Sequence, residues 1–391
     1  MKRFSAQYIF TNAGPPLKRG LITAGDDGSI VKVEDTGGSL SESHLTEFHN
    51  GIIVPGFVNC HCHLELSHLK GIIPAGKGLG NFIIKIRAVR DSSPDTIVSA
   101  AAEADKQMYG EGIVLCADIC NMPATFDIKN KSRITYINLI EVFGIDPAKA
   151  GKRIGEAVRL SAEADRAGLS WSIIPHSLYS VSLPLFRLLR EKTADNLVTS
   201  IHFMETGEEK VFLSHHTGLL RDSYEASGLL PDKIQLPDDH STAILSEVTS
   251  SGNLILVHNT FADGKTIKEV QKRKNTFWCI CPNSNEYIEN KLPPVDLLKS
   301  ENCDIVTGTD SLASNRRLSI LEELKTIQHH FQSVTLEEMI RWATLNGARA
   351  LGMDNIFGSI KPGKKPGLVL LENVDLQNIK LLTESRASLL I

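Results

Sequence analysis

The residues with the clearest chemical potential are Asn59-Cys60-His61-Cys62-His63-Leu64-Glu65. They follow the apolar run Gly51-Ile52-Ile53-Val54-Pro55-Gly56-Phe57-Val58. In a strand, residues two apart point to the same side. His61 and His63 are therefore placed to hold one metal ion between them. For a bare His-x-His the plainer explanation is two unrelated histidines at a loop edge. A zinc ion held by Cys60, Cys62 and both histidines is a rival, but structural zinc sites use wider loop spacings than strict alternation.

More polar residues end later apolar runs. His202 closes Leu197-Val198-Thr199-Ser200-Ile201, His258 closes Asn253-Leu254-Ile255-Leu256-Val257, and Asp310 closes Asp304-Ile305-Val306-Thr307-Gly308-Thr309. Each alone reads as a cap or a core polar group. Together they share one position in a strand–helix register, which structural needs alone rarely produce. Three or four His and Asp ligands there suit Zn²⁺ or Fe²⁺, with one position left open for water. Glu205 lies three residues after His202. A carboxyl beside an activated water can move protons between that water and a substrate nitrogen. Taken alone it would be a solvated glutamate at a helix start. His176 ends Ile173-Ile174-Pro175, and no lysine stands there. A carbamylated lysine at that strand end would bridge two metals. Its absence favours a single metal and makes His176 a substrate contact.

The elements that must position these residues alternate. Buried-type strands are expected at Gly51–Cys60, Gly112–Asp118, Ile134–Val142, Ser170–Pro175, Leu197–His202, Asn253–His258, Thr276–Ile280 and Asp304–Thr309. Helical patterns fall between most of them, as at Thr96–Tyr109, Ala148–Ala167, Leu185–Lys192 and Ser319–Phe331. Alternation argues for parallel βα units, and eight strands suggest a closed barrel, whose active site lies at the strands' C-terminal ends. The chain ends differ. Leu21-Ile22-Thr23 and Ser29-Ile30-Val31-Lys32-Val33 flank Asp26-Asp27-Gly28, a hairpin signal, and Leu368-Val369-Leu370-Leu371 follows a Gly/Pro turn. The expected fold class is α/β: a distorted TIM (β/α)8 barrel over 51–354, with a small β-sandwich domain from 1–50 and 355–391.

Composition sets limits. The chain has 391 residues, 42 Lys and Arg against 46 Asp and Glu, and a net charge of −4. That argues against a protein built around nucleic acid or an anionic membrane. No apolar run reaches the roughly 18 residues of a membrane span. The N-terminus enters mixed sequence with no apolar signal-peptide stretch. Seven cysteines without a disulfide framework fit a reducing, cytoplasmic setting. A homodimer is compatible with the sequence, but no residue pattern argues for it.

The motifs resemble the amidohydrolase superfamily, in the branch of S-adenosylhomocysteine deaminase, chlorohydrolases and guanine deaminase. Pro55-Gly56-Phe57-Val58-Asn59-Cys60-His61-Cys62-His63 looks like its first-strand motif, and His202-Phe203-Met204-Glu205 like its HxxE. Pro175-His176-Ser177, Thr309-Asp310-Ser311 and Gly358-Ser359-Ile360-Lys361-Pro362-Gly363-Lys364 also fit. His61-Cys62-His63-Leu64-Glu65-Leu66-Ser67 and Gly308-Thr309-Asp310-Ser311-Leu312-Ala313-Ser314-Asn315 lean toward its aminodeoxyfutalosine deaminase members. Pro366-Gly367 departs from the usual Ala-Asp, and Cys62 from the commoner Thr or Ser. The resemblance implies that His61, His63, His202 and Asp310 bind one divalent metal, zinc first and iron second. It implies that Glu205 shuttles the proton, that His258 and Asp310 handle the attacking water, and that His176 contacts the substrate. The implied activity is hydrolytic release of ammonia from a small-molecule 6-aminopurine nucleoside. The alternative is another ring or amidine C–N or C–Cl bond, as in guanine, cytosine or triazines. A non-catalytic, metal-bearing barrel would not need Glu205 or His258.

Weaker signals are set aside. Gly76-Lys77-Gly78-Leu79-Gly80 lacks a P-loop ending and is expected to be a mobile loop over the site. Arg87 and Arg90 are expected on an exposed helix face. Arg316 and Arg317 are better placed for a substrate carboxylate. His215-His216 and His329-His330 are expected at helix surfaces.

Overall fold

The structure, a computed structural model, describes residues 1–40, 45–248 and 251–391. Residues 41–44, inside the expected N-terminal β segment, and 249–250 lie outside the described residues. Eight strands are parallel and hydrogen-bond in two groups of four. The first group is β1 (Phe57–Cys62), β2 (Ile113–Cys120), β3 (Thr135–Val142) and β4 (Trp171–Pro175), in that order. The second is β5 (Val198–Phe203), β6 (Asn253–His258), β7 (Thr276–Ile280) and β8 (Asp304–Thr307). Single parallel bridges, Cys62 to Asp310 and Ser177 to His202, join one group to the other. Strands β1, β2, β5 and β7 are buried along their whole length. Continuous burial on both faces explains why their sequences read as unbroken apolar runs.

The helices fall where the apolar spacing puts them: Pro94–Gly110, Ala150–Arg166, Leu183–Thr193 and Ile320–His330. Ser93 caps the first of these by accepting from Thr96 N, with Pro94 at its first position. No described helix is long and apolar enough to cross a membrane.

Both chain ends enter a third sheet of seven strands. Thr46–Pro55 lies between Lys2–Ile9, which it pairs in parallel, and Leu368–Asp375, which it pairs antiparallel; Lys380–Leu389 forms the far edge. Leu21–Ala24 and Ile30–Glu34 pair antiparallel as the expected hairpin, with Gly28 at φ 81°. Among the described residues these strands form one hydrogen-bonded sheet, where two sandwich layers are expected.

The strand expected at Gly51–Cys60 is two strands. Gly56 divides Thr46–Pro55 in the seven-stranded sheet from β1. A Cβ at Gly56 would lie 2.6 Å from Pro366 O and 2.6 Å from a Val114 methyl, so only glycine passes there. Residues 51–55 thus pair with the terminal strands, beyond the boundary expected at 50. Gly76–Gly80 is also not a free loop. A helix, Gly78–Val89, starts within it, and Leu79 N donates to Glu289 Oε1 at 2.7 Å.

Gly308, between β8 and Asp310, packs against the first strand. A Cβ there would lie 2.8 Å from His61 Cβ and 3.0 Å from Cys279 Sγ. Gly308→Ala is expected to lose about 1–3 kcal/mol of stability through overpacking, measured by urea unfolding; an unchanged urea midpoint would contradict this contact.

Candidate active site

The C-terminal ends of the parallel strands gather the polar residues. His61 lies within β1, and His63 directly follows it. His202 stands near the end of β5, His258 ends β6, and Asp310 follows β8. Non-glycine residues at these ends take left-handed backbone angles: φ is 79° at His258, 57° at Asp310 and 49° at Met204. Such angles cost energy and recur where a site overrides local preference.

The ligand atoms of His61, His63 and His202 all lie within 4.8 Å of one another. His61 Nε2 and His63 Nε2 are 3.2 Å apart. Asp310 Oδ1 lies 3.6 Å from His61 Nε2 and 3.4 Å from His63 Nε2. His202 Nδ1 lies 2.9 Å from His176 O. A carbonyl only accepts, so Nδ1 carries the proton and Nε2 offers its lone pair toward the cluster. Burial, with the charge of His61 second, pushes His63 well below the usual histidine range. Burial likewise takes His202 down to about 3. These imidazoles are therefore neutral, as metal ligands must be. Burial pushes Asp310 up, but its contact with His61 and the fields of His63 and His258 outweigh this and hold it well down. Three imidazoles and an ionised carboxylate are a donor set that fits one divalent cation. Glu141, His176 and His202 form a second close group. There His202 Nδ1, whose proton goes to His176 O, lies 3.5 Å from Glu141 Oε1.

Glu205 Oε1 lies 3.6 Å from His258 Nε2. Burial, with Asp310 and Glu209 adding, pushes Glu205 well above the usual carboxylate range. An upward shift of this kind suits a carboxyl to general-acid work. The turn that aims Glu205 is clamped by Glu209, whose carboxylate accepts from Met204 N at 3.2 Å, Glu205 N at 2.6 Å and Thr206 N at 3.3 Å. His176 uses Nδ1 on Ser177 Oγ (2.9 Å) and Ser180 Oγ (2.8 Å), and its ring lines the cleft. All seven expected site residues thus surround one cleft, and six of them line it directly; His61 lies just behind, fully buried.

The arginines reverse the expectation. Arg87 and Arg90 line the cleft, because the helix Gly78–Val89 packs across its mouth. Arg317 instead pairs with Glu111 at 2.5 Å on the exposed surface, and neither it nor Arg316 lines the cleft. Sequence reasoning also missed Ser284 and Asn285. Ser284 Oγ and Ser314 Oγ each donate to Asp310 Oδ2 at 2.6 Å, and Asn285 Nδ2 lies 3.1 Å from His258 Nδ1. A polar run, Pro282-Asn283-Ser284-Asn285, just past β7 was the available signal.

The model of the amidohydrolase family matches residues 52–387 of the chain. The chain belongs to the amidohydrolase family. Within it, an adenosine deaminase of Helicobacter pylori is 24% identical over 363 residues, spanning 88% of this chain and 85% of the relative. A 5-methylthioadenosine/S-adenosylhomocysteine deaminase of Pyrococcus abyssi is 24% identical, over 86% and 80%. Among solved structures, the Helicobacter pylori aminofutalosine deaminase in complex with methylthio-coformycin superposes with a TM-score of 0.79 at 21% identity, covering 95% and 92%. The zinc-complexed atrazine chlorohydrolase of Arthrobacter aurescens gives 0.76 at 16% identity, covering 99% and 93%. This amidohydrolase thus shares its fold with those enzymes over nearly its whole length.

One buried carboxyl near the site gives a pH test. Glu323 Oε2 accepts from Asn283 N at 2.9 Å, and Oε1 from Asn315 Nδ2 at 2.8 Å. Burial pushes its pKa from 4.5 to about 8. The folded state then holds a proton that the unfolded chain releases. The stability this proton contributes is complete below pH 4.5 and is lost as pH rises through about 8. Glu323→Gln stays neutral throughout. In metal-free protein its melting temperature relative to wild type is expected to rise from pH 5 to pH 8.5; a pH-independent difference would contradict a protonated Glu323.

Proposed function

We propose that this protein is a metal-dependent aminohydrolase that releases ammonia from a 6-aminopurine nucleoside. The observation that carries the proposal is the buried carboxyl of Glu205, 3.6 Å from His258 and beside the His61–His63–His202–Asp310 cluster. The names of its relatives, adenosine and 5′-deoxyadenosine deaminases among them, support the substrate class. A distorted (β/α)8 barrel, supported by the two single bridges that join the groups of four strands, would carry the site. The terminal sheet would form the small second domain. Seven free cysteines support a reducing, cytoplasmic setting.

His61, His63, His202 and Asp310 would hold the divalent cation, zinc before iron, given three nitrogen donors and one oxygen. When bound, the cation supplies Lewis acidity that makes water a competent nucleophile near neutral pH. Glu205 donates its proton to the ring nitrogen next to the amino-bearing carbon as water adds to that carbon. His258 orients the water, and Asp310 accepts its proton. Returning a proton to the amino group lets ammonia leave and restores the ring as a carbonyl compound. His176, neutral because burial and the Arg87 charge take it down to about 3, contacts the substrate. The cleft wall of Leu79, Phe82, Ile83 and Ile86 excludes water around it. Fold likeness to the atrazine chlorohydrolase and to a guanine deaminase of Escherichia coli keeps a second reading, hydrolysis at another ring or amidine carbon.

Arg87 refines the substrate. It lines the cleft, donates to Ser227 Oγ at 3.0 Å and lies 5.3 Å from the Tyr224 ring centre. Among the described residues no carboxylate within ion-pair distance faces it, whereas Arg90 meets Glu65 at 3.7 Å. Arg87 is thus available to a negatively charged 5′ substituent.

The test is ammonia release from zinc-supplemented protein with adenosine, methylthioadenosine, S-adenosylhomocysteine, aminodeoxyfutalosine, guanine and cytosine. One nucleoside should be turned over far above the rest, and turnover of guanine or cytosine alone would favour the second reading. Glu205→Gln is expected to lower kcat by about 10²-fold or more while keeping the metal, whereas His61→Ala loses the metal itself. Near wild-type turnover by Glu205→Gln would end the assignment. Arg87→Met is expected to raise KM about tenfold for a substrate with a 5′ carboxylate, with adenosine unaffected; equal effects on both would remove Arg87 from recognition.

A further inference from the structure

The first strand is irregular where it matters. Between β1 and β2, Asn59 pairs with Cys116 and Cys62 with Asp118. Two residues, Cys60 and His61, therefore face one, Ala117. This is a bulge, which breaks the ladder and re-aims side chains. Leu64 N, immediately after His63, finds its acceptor in a side chain: Asp118 Oδ1 at 2.7 Å.

Asp118 is completely buried, and so is its partner. Lys129, on the short helix Phe126–Lys131, places Nζ 2.5 Å from Asp118 Oδ2. The same ammonium donates to Asn138 Oδ1 at 2.9 Å and to Cys120 Sγ at 3.0 Å. Asn138 in turn donates through Nδ2 to Ser170 O at 2.9 Å. Burial pushes Lys129 down, but Asp118 and Cys120 outweigh it, and it stays charged. A continuous polar chain thus runs from the start of β4 through β3 and β2 to the residue after His63. None of its members lines the cleft.

We propose that Asp118, fixed by Lys129, is a positioning residue: it anchors Leu64 and thereby sets where His63 stands after the bulge. This rests on the assignment of His63 as a metal ligand. A buried ion pair is costly in itself and is often replaceable by apolar groups without loss of stability. What cannot be replaced that way is an acceptor for Leu64 N.

Two double variants separate anchoring from mere filling of the core. Asp118→Asn with Lys129→Met removes both charges and keeps an amide oxygen for Leu64 N. Asp118→Leu with Lys129→Met removes the charges and the acceptor. The first is expected to bind zinc within about threefold of wild type. The second is expected to lose about 10- to 100-fold, the range for lost outer-shell support, and to alter the visible spectrum of the cobalt-substituted protein. Equal zinc affinities and identical cobalt spectra for the two would overturn the proposal. Should the leucine variant fail to fold, the asparagine variant decides: a tenfold loss of zinc affinity there overturns the proposal, and retention supports it. If wild-type protein binds no zinc, the metal-site assignment fails on its own. Amide hydrogen exchange then reads the anchor directly, with Leu64 protected in the asparagine variant and, where it folds, exposed in the leucine variant; protection of Leu64 in both overturns the proposal.

Discussion

Everything at the mouth of the parallel sheets answers to one constraint: four groups that would rather face water, His61, His63, His202 and Asp310, are buried and aimed at one another. Desolvation alone would scatter them. It is offset by partners on every outward-facing atom that has one: His176 O behind His202, and Ser284 and Ser314 behind Asp310. His61 Nδ1 is buried without a hydrogen bond, and its ring packs edge-on against those of His63, His202 and His258. The same logic reaches Glu205, whose carboxyl is pushed well above its usual range by burial and by the surrounding carboxylates. One geometry thus gathers three imidazoles and two carboxyl groups of opposite bias, Asp310 held down and Glu205 pushed up.

The backbone shares this work. Met204, His258 and Asp310 all turn left-handed at or just past the ends of their strands. Each turn redirects a side chain that a regular strand end would send elsewhere. The turn at Met204 is stabilised by Glu209, whose carboxylate gathers three successive amides and is itself 3.3 Å from His240. Local strain at Met204 is therefore held by a side chain that folds back on the turn, as expected where site geometry overrides propensity.

The parallel strands and the long helices were legible because burial on both faces writes an apolar run and burial on one face writes a helical period. The site was legible because register alone places strand-end residues together, whatever the loops do. Three features were not. Gly56 looks like part of a strand, and only the nearness of Pro366 and Val114 shows why the chain changes sheets there. Asn285, Ser284 and Glu209 act through contacts with partners that spacing does not reveal. Arg87 sits on an amphipathic helix whose inner face could not be assigned until the cleft was seen beneath it, whereas Arg317, nearer to Asp310 in sequence, is drawn off by Glu111.

The placement of Thr46–Pro55 has a consequence for synthesis. It is paired on one side by the first strand of the chain and on the other by Leu368–Asp375. In order of synthesis, the partner of one edge of Thr46–Pro55, Lys2–Ile9, is made before it. The other edge stays open until more than 300 residues have followed. During that interval Ile52, Ile53 and Val54 present unpaired amides and carbonyls on an apolar edge, a template for pairing with another nascent chain. The last strands therefore act as a closing seam, and a chain that stops short of residue 368 leaves that edge open for good.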